Sequence, residues 1–195
     1  MAATPSTMLP LGTPLPAFHL PDFDGRPVSS ADLDGSPALL VAFLCPHCPF
    51  VRHVRQGFAA FAAEYAARGL AVVAINSNDV TGFPEDGPDG MRHEAQTTGY
   101  VFPYLFDETQ QVAKDFQAAC TPDLFLFDGT RRLVYRGQFD DSRPRTAVPV
   151  TGRDIRAAVD AVLARQPVEG PQRSSIGCNI KWRAGNAPDY FGRPA

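Results

Sequence analysis

Lysine is nearly absent from this chain. Lys114 and Lys181 are the only two among 18 basic residues, which 21 acidic residues outnumber. With a net charge of −3 and its arginines scattered, the sequence has no basic block to follow a phosphate backbone, which argues against a general nucleic-acid binder. Long apolar runs are missing too, so no segment has the length of a membrane span and no membrane partner is expected. The first 16 residues hold four prolines and lack the basic and apolar regions of a secretory signal, so the expected location is the cytosol. Four cysteines in 195 residues are too few for a disulfide scaffold. In a reducing compartment a close pair of them serves catalysis or metal binding instead. There is no internal repeat and no dividing linker, and the length suits one domain with a sizeable core.

What the sequence does have is Cys45-Pro46-His47-Cys48, at the junction between the apolar run Ala38–Leu44 and a stretch of helical period. Strand, C-x-x-C and helix in that order describe a redox site. Val51, Val54, Phe58, Phe61 and Tyr65 mark one apolar helix face. Pro46 suits the first helical position, where no N–H is needed, and Pro49 is tolerated within the first turn. On that reading Cys45 meets the positive end of the helix dipole and unpaired N–H groups, which favour its thiolate. His47, when protonated, adds to this and makes the disulfide more oxidising than that of a general cytosolic reductant.

Along the rest of the chain, residues 1–16 read as a proline-rich arm that packs by side chains or not at all. Phe18–Leu20 and Pro27–Val28 flank the turn Asp22-Phe23-Asp24-Gly25 and predict a hairpin. Ser29–Leu33 predicts one capped helical turn, and Leu70–Ile75 a second buried strand, parallel to the first. Short helices are predicted over 91–98 and 108–118, strands over 124–127 and 133–136, and a closing helix over 151–164. The divisions are thus 1–16, a domain over 17–166, and a tail over 167–195, where Trp182 and Phe191 are expected to anchor the tail.

This order, with Thr121-Pro122 leading into the second hairpin, resembles the thioredoxin fold: an α/β architecture with a central mixed sheet flanked by helices, here with an N-terminal hairpin and a C-terminal arm. Residues 45–51 (Cys-Pro-His-Cys-Pro-Phe-Val), 83–91, 120–123 (Cys-Thr-Pro-Asp) and 175–182 are similar to the peroxiredoxin-like AhpC/TSA group that keeps a C-x-x-C pair. The resemblance implies a thiol–disulfide oxidoreductase in which Cys45 attacks and Cys48 resolves. It implies that Pro122 is a cis-proline, and that the backbone at Thr121-Pro122 pairs with a bound substrate. Disulfide or dithiol substrates, peroxides among the alternatives, and a thiol reductant are the implied partners, and no cofactor is expected. Peroxiredoxins place a Thr or Ser three residues before their reactive cysteine and a proline seven before. Here Cys48 stands at that reactive position, preceded by Cys45 and Val41, so the hydroxyl that orients a peroxide is missing. A peroxidase with Cys48 peroxidatic and Cys45 resolving is the alternative. The buried acid that thioredoxins carry on the preceding strand is replaced near Ala42.

A metal carrier or a binding module without turnover is the remaining alternative, with His53 and Cys178, or His93, completing a ligand set around Cys45 and Cys48. Cys120 and Cys178 are possible additional thiols, as resolving groups or as each other's partner. The plainer reading is two buried cysteines packing as small hydrophobes. The acidic loop Glu85–Gly90 lacks a calcium-loop pattern and is expected to be a solvated turn.

Overall fold

The computed structural model describes residues 3–192. Strand β1 (Ala3–Pro5) precedes the hairpin of β2 (His19–Pro21) and β3 (Pro27–Ser29), and a 3₁₀ turn follows at Ser30–Leu33. Then come β4 (Ala38–Phe43), α1 (Pro49–Ala66), β5 (Leu70–Asn76), α2 (Pro88–Thr98), β6 (Tyr104–Phe106) and α3 (Gln111–Asp115). The chain continues through β7 (Cys120–Thr121), β8 (Asp123–Asp128), β9 (Leu133–Gly137), α4 (Arg153–Leu163) and β10 (Ile176–Asn179).

The main sheet has the order β6-β5-β4-β8-β9. Strands β4, β5 and β6 run parallel, and β8 and β9 join antiparallel. This is the mixed sheet expected from the sequence. Strand β4 is buried along its whole length because it lies third of five with a layer on each face. Leu40 and Ala42 join the core under α1 and α4, while Leu39, Val41 and Phe43 face the core that holds α3 and the N-terminal hairpin. The period-2 alternation of a strand does that sorting. All five residues of the predicted apolar face of α1 are buried. Each contributes roughly 1.5–3 kcal/mol if fully buried.

Three differences from expectation have local causes. The N-terminal arm pairs by backbone: Ala3, Thr4 and Pro5 oppose Cys178, Gly177 and Ile176 of β10. Pro5, lacking an N–H, suits an outer strand, and the next N–H, of Ser6, reaches Ser175 O at 2.9 Å. The tail therefore carries a strand, which its sequence hides because Gly177 and Cys178 are buried side by side without alternation. Helix α3 is shorter than predicted, since left-handed backbone at Gln110 and Gln117 stops it at both ends. Among the described residues no helix is long and apolar enough to cross a membrane.

Two carboxyl groups sit deep in this framework. Burial pushes Asp123, at the start of β8, up to about 7, and Glu94 of α2 also up to about 7. The folded protein then holds protons on these two groups that the unfolded chain has released, so their contribution to stability is full below about pH 4 and is lost as pH rises through about 7. Urea midpoints should fall across that window by an amount corresponding to a few kcal/mol in all. Asp123→Asn should flatten the decline, and an unchanged slope would refute this assignment.

Candidate active site

The segment between β4 and α1 does not enter the helix where the sequence suggested. Helix α1 begins at Pro49, Cys48 is its N-cap residue, and the Arg52 N–H makes the bond to Cys48 O at 2.9 Å. His47 is kept out because its N–H donates to Asp86 Oδ1 at 3.0 Å. Consequently Cys48, not Cys45, faces the helix N-terminus. Cys48 is held well below the ordinary thiol range by hydrogen bonds from the Cys178 and Cys45 thiols, with Thr121 and the Val51 N–H adding to them. Burial pushes Cys45 up, reinforced by its hydrogen bond to Cys48 and by the nearby charge of Asp86. The order of acidity is the reverse of that expected.

Thr121 binds both sulfurs. Its Oγ1 lies 3.3 Å from Cys45 Sγ, and its carbonyl oxygen lies 3.1 Å from Cys48 Sγ. The Thr121-Pro122 bond is cis, as the sequence suggested. The backbone beside it is not open for a substrate, however. Strand β10 fills that edge, with Cys178 opposite Thr121 and Asn179 opposite Cys120. Gly177 makes this approach possible, since a Cβ there would stand 2.0 Å from Thr121 O. Beyond Pro122 lies a shallow cleft lined by Phe50, His53, Arg143 and Ile176.

The acidic loop supplies what the strand lacks. Asp86 is fully buried rather than solvated. Its carboxylate accepts from the His47 N–H, from His47 Nδ1 and, at 2.8 Å, from Asn78 Nδ2. Its own carbonyl accepts from Asn76 Nδ2 at 2.6 Å. Gly90 lets the loop close this tightly, as a Cβ there would meet Glu85 O at 1.8 Å. The His47 ring stacks on Phe83 at 4.7 Å, with Nδ1 3.8 Å from Cys45 Sγ. The carboxylate fixes the tautomer with hydrogen on Nδ1, and Nε2 is buried without a partner.

The dithiol is not exposed: Cys45 and Cys48 are 0% accessible and Cys178 1%. Pro46 is buried with them, and its carbonyl accepts from Arg52 Nε at 2.8 Å. Cys120 is buried, its thiol directed to Pro122 O at 3.5 Å, and burial pushes its acidity far down. Among the described residues, Cys45, His47 and Asp86 form the one group of possible metal donors within 4.8 Å of one another. The ligand sets imagined with His53 or His93 do not assemble. His53 bonds Ser142 Oγ at 2.7 Å, and His93 is exposed on α2. In the assembled group the nearer ring nitrogen is already held by Asp86.

The architecture is that of thioredoxin-like proteins. A thiol:disulfide interchange protein of the thioredoxin family from Chlorobium tepidum superposes with a TM-score of 0.60 at 22% identity, over 78% of this chain and 97% of that one, a likeness of fold alone. The AhpC/TSA family model matches residues 11–136, and the chain belongs to that family. A hypothetical protein from Sinorhizobium meliloti 1021 is 55% identical with a TM-score of 0.92, covering 93% of this chain and all (100%) of that one. The chloroplastic peroxiredoxin Q of Suaeda salsa is 28% identical over 143 residues, 68% of this chain. The matched stretch spans 62% of that peroxiredoxin, under two thirds of its length.

Proposed function

We propose that this member of the AhpC/TSA family is a thiol–disulfide oxidoreductase whose oxidised form is the Cys45–Cys48 disulfide. The observation that carries the reading is the convergence of both sulfurs on Thr121, beside Pro122, at 3.3 and 3.1 Å. Cys48 is the attacking thiolate in this scheme. It displaces one sulfur of a substrate disulfide and forms a mixed disulfide. Cys45 keeps its proton until then, so it does not compete for the substrate. It next attacks Cys48 Sγ, and its proton passes to the Asp86 carboxylate, which the His47 ring holds in place, as the second substrate sulfur leaves with the electron pair. The buried acid missing near Ala42 is thus provided from the loop after β5. Because the dithiol is covered, a substrate must displace part of its surroundings to reach it. The partners of this reading are protein or small-molecule disulfides and a thiol reductant that regenerates the pair.

A second reading, thiol peroxidase, is favoured by the position of Cys48 at the N-cap of α1, where a thiolate of lowered pKa can attack a peroxide oxygen. Two assays separate the readings: reduction of insulin disulfides and consumption of hydrogen peroxide, each driven by dithiothreitol. Insulin reduction above the reductant's own rate is expected. Peroxide consumption alone would select the peroxidase. Neither activity, with a pair that stays reduced across a glutathione redox series, would sink both.

A further inference from the structure

Strand β10 occupies the sheet edge where an extended peptide would add to this fold. It lies antiparallel to β7, as a bound strand does in β-augmentation, and its cysteine rather than a foreign one is presented to the dithiol. The Cys178 side chain packs in the same buried cluster as Cys45 and Cys48, and the carbonyl oxygen of Thr121, the residue that Cys178 opposes, lies 3.1 Å from Cys48 Sγ. The strand is tied down at both ends. Ser175 Oγ donates to Gly137 O at 2.7 Å, and the Ile180 N–H reaches Ala119 O at 3.1 Å. Lys181 N–H follows, donating to Asn78 Oδ1 at 2.8 Å. The side chain missing at Gly177 is what lets this strand lie against Thr121.

We propose that Ile176–Asn179 is a resident substrate-like strand and that Cys178 is a third redox thiol, resolving Cys48 through a Cys48–Cys178 disulfide. The proposal rests on the reading of Cys48 as the attacking thiolate. The Cys48 sulfur first attacks a disulfide such as oxidised glutathione. A Cys48–glutathione bond forms, the glutathione S–S bond breaks, and one glutathione leaves with the electron pair. The Cys178 sulfur then attacks Cys48 Sγ. The Cys178–Cys48 bond forms, the Cys48–glutathione bond breaks, and the second glutathione leaves with the pair and takes up the Cys178 proton. Two protein thiols are oxidised and one glutathione disulfide is reduced to two thiols. Chemistry also favours Cys178 at this moment. The main cause of its raised pKa is its interaction with Cys48, which is lost once Cys48 is in a disulfide, while the nearby Lys181 charge works the other way. Cys45 stays burdened by burial and by Asp86.

The test uses full-length protein treated with oxidised glutathione, quenched with a thiol-blocking reagent, and digested without reduction for mass spectrometry. Cys45→Ser should give a peptide containing Cys48 linked to one containing Cys178. Cys45→Ser with Cys178→Ala should instead accumulate the Cys48–glutathione adduct, and the wild type should divide between Cys45–Cys48 and Cys48–Cys178 bonds. A lasting glutathione adduct in Cys45→Ser, with Cys178 still blocked as a free thiol, would overturn the third-thiol role. If the wild type then still closes Cys45–Cys48, the oxidoreductase reading survives. An unreactive Cys48 in every variant sinks both.

Discussion

Cys48→Ser should abolish turnover with protein disulfides, by on the order of 10³-fold or more, because it removes the one thiol poised as a thiolate. Cys45→Ser should behave differently. Attack remains possible, so this variant reacts with a test disulfide in a single turnover and holds it as a mixed disulfide unless Cys178 resolves it. Alkylation of the reduced protein by iodoacetamide should modify Cys48 before Cys45, at a rate that hardly falls from about pH 8 to about pH 5. The direction follows from the cause: hydrogen bonds from Cys178, Cys45 and the Val51 N–H stabilise the Cys48 anion, so it persists as pH falls. Burial slows both alkylations but does not invert their order. The same stabilisation of the reduced state makes the disulfide the stronger oxidant, by roughly 30 mV for each 1.4 kcal/mol. Preferential loss of activity in Cys45→Ser, with Cys48→Ser still forming mixed disulfides, would restore Cys45 as the nucleophile and refute the assignment.

The residues from β4 to α1 show what a sequence can and cannot disclose. The apolar run over 38–44 and the face Val51–Tyr65 are set by local period, and both appear where their spacing placed them. The cis bond before Pro122 was legible because it is an X-Pro bond beside a motif. The helix start was not, because two prolines three residues apart, Pro46 and Pro49, fit the same rule. The choice between them is made by Asp86, 39 residues downstream of His47, whose carboxylate takes the His47 N–H. Asp86 itself looked like one acid among several in a Gly/Pro-rich turn. The usable signal was Asn76 and Asn78 at the carboxyl end of β5, two amides that need a buried acceptor. Strand β10 was hidden for a different reason. Its partners are the two residues of β7 and an edge strand near the N-terminus, so the segment carries no repeating apolar face of its own.

Asp86→Asn should separate the two halves of the reaction. The variant keeps the size of the side chain and one acceptor oxygen, but it presents an NH₂ group where the carboxylate now accepts from His47 or Asn78. Leaving one of those buried donors unpaired costs about 1–3 kcal/mol, a visible but survivable loss in urea midpoint. Asp86→Ala leaves all of them unpaired and should cost roughly 3–5 kcal/mol, as breaking a buried pair does. Stability alone does not distinguish a scaffold from a proton acceptor; the split in kinetics does. Attack by Cys48 depends on groups other than Asp86, so its alkylation and its first reaction with a disulfide should stay within a few-fold of the wild type. Resolution by Cys45 needs its proton removed, and the donor atoms of Cys45, His47 and Asp86 all lie within 4.8 Å of one another. That step should slow by roughly 10²–10⁴-fold, the usual contribution of a positioned general base. Rapid-quench analysis would read it as accumulating mixed disulfide in Asp86→Asn that Cys178→Ala makes longer-lived. Equal slowing of attack and resolution would show Asp86 to be a structural clamp for His47 alone, and resolution at the wild-type rate would remove the pair from the chemistry.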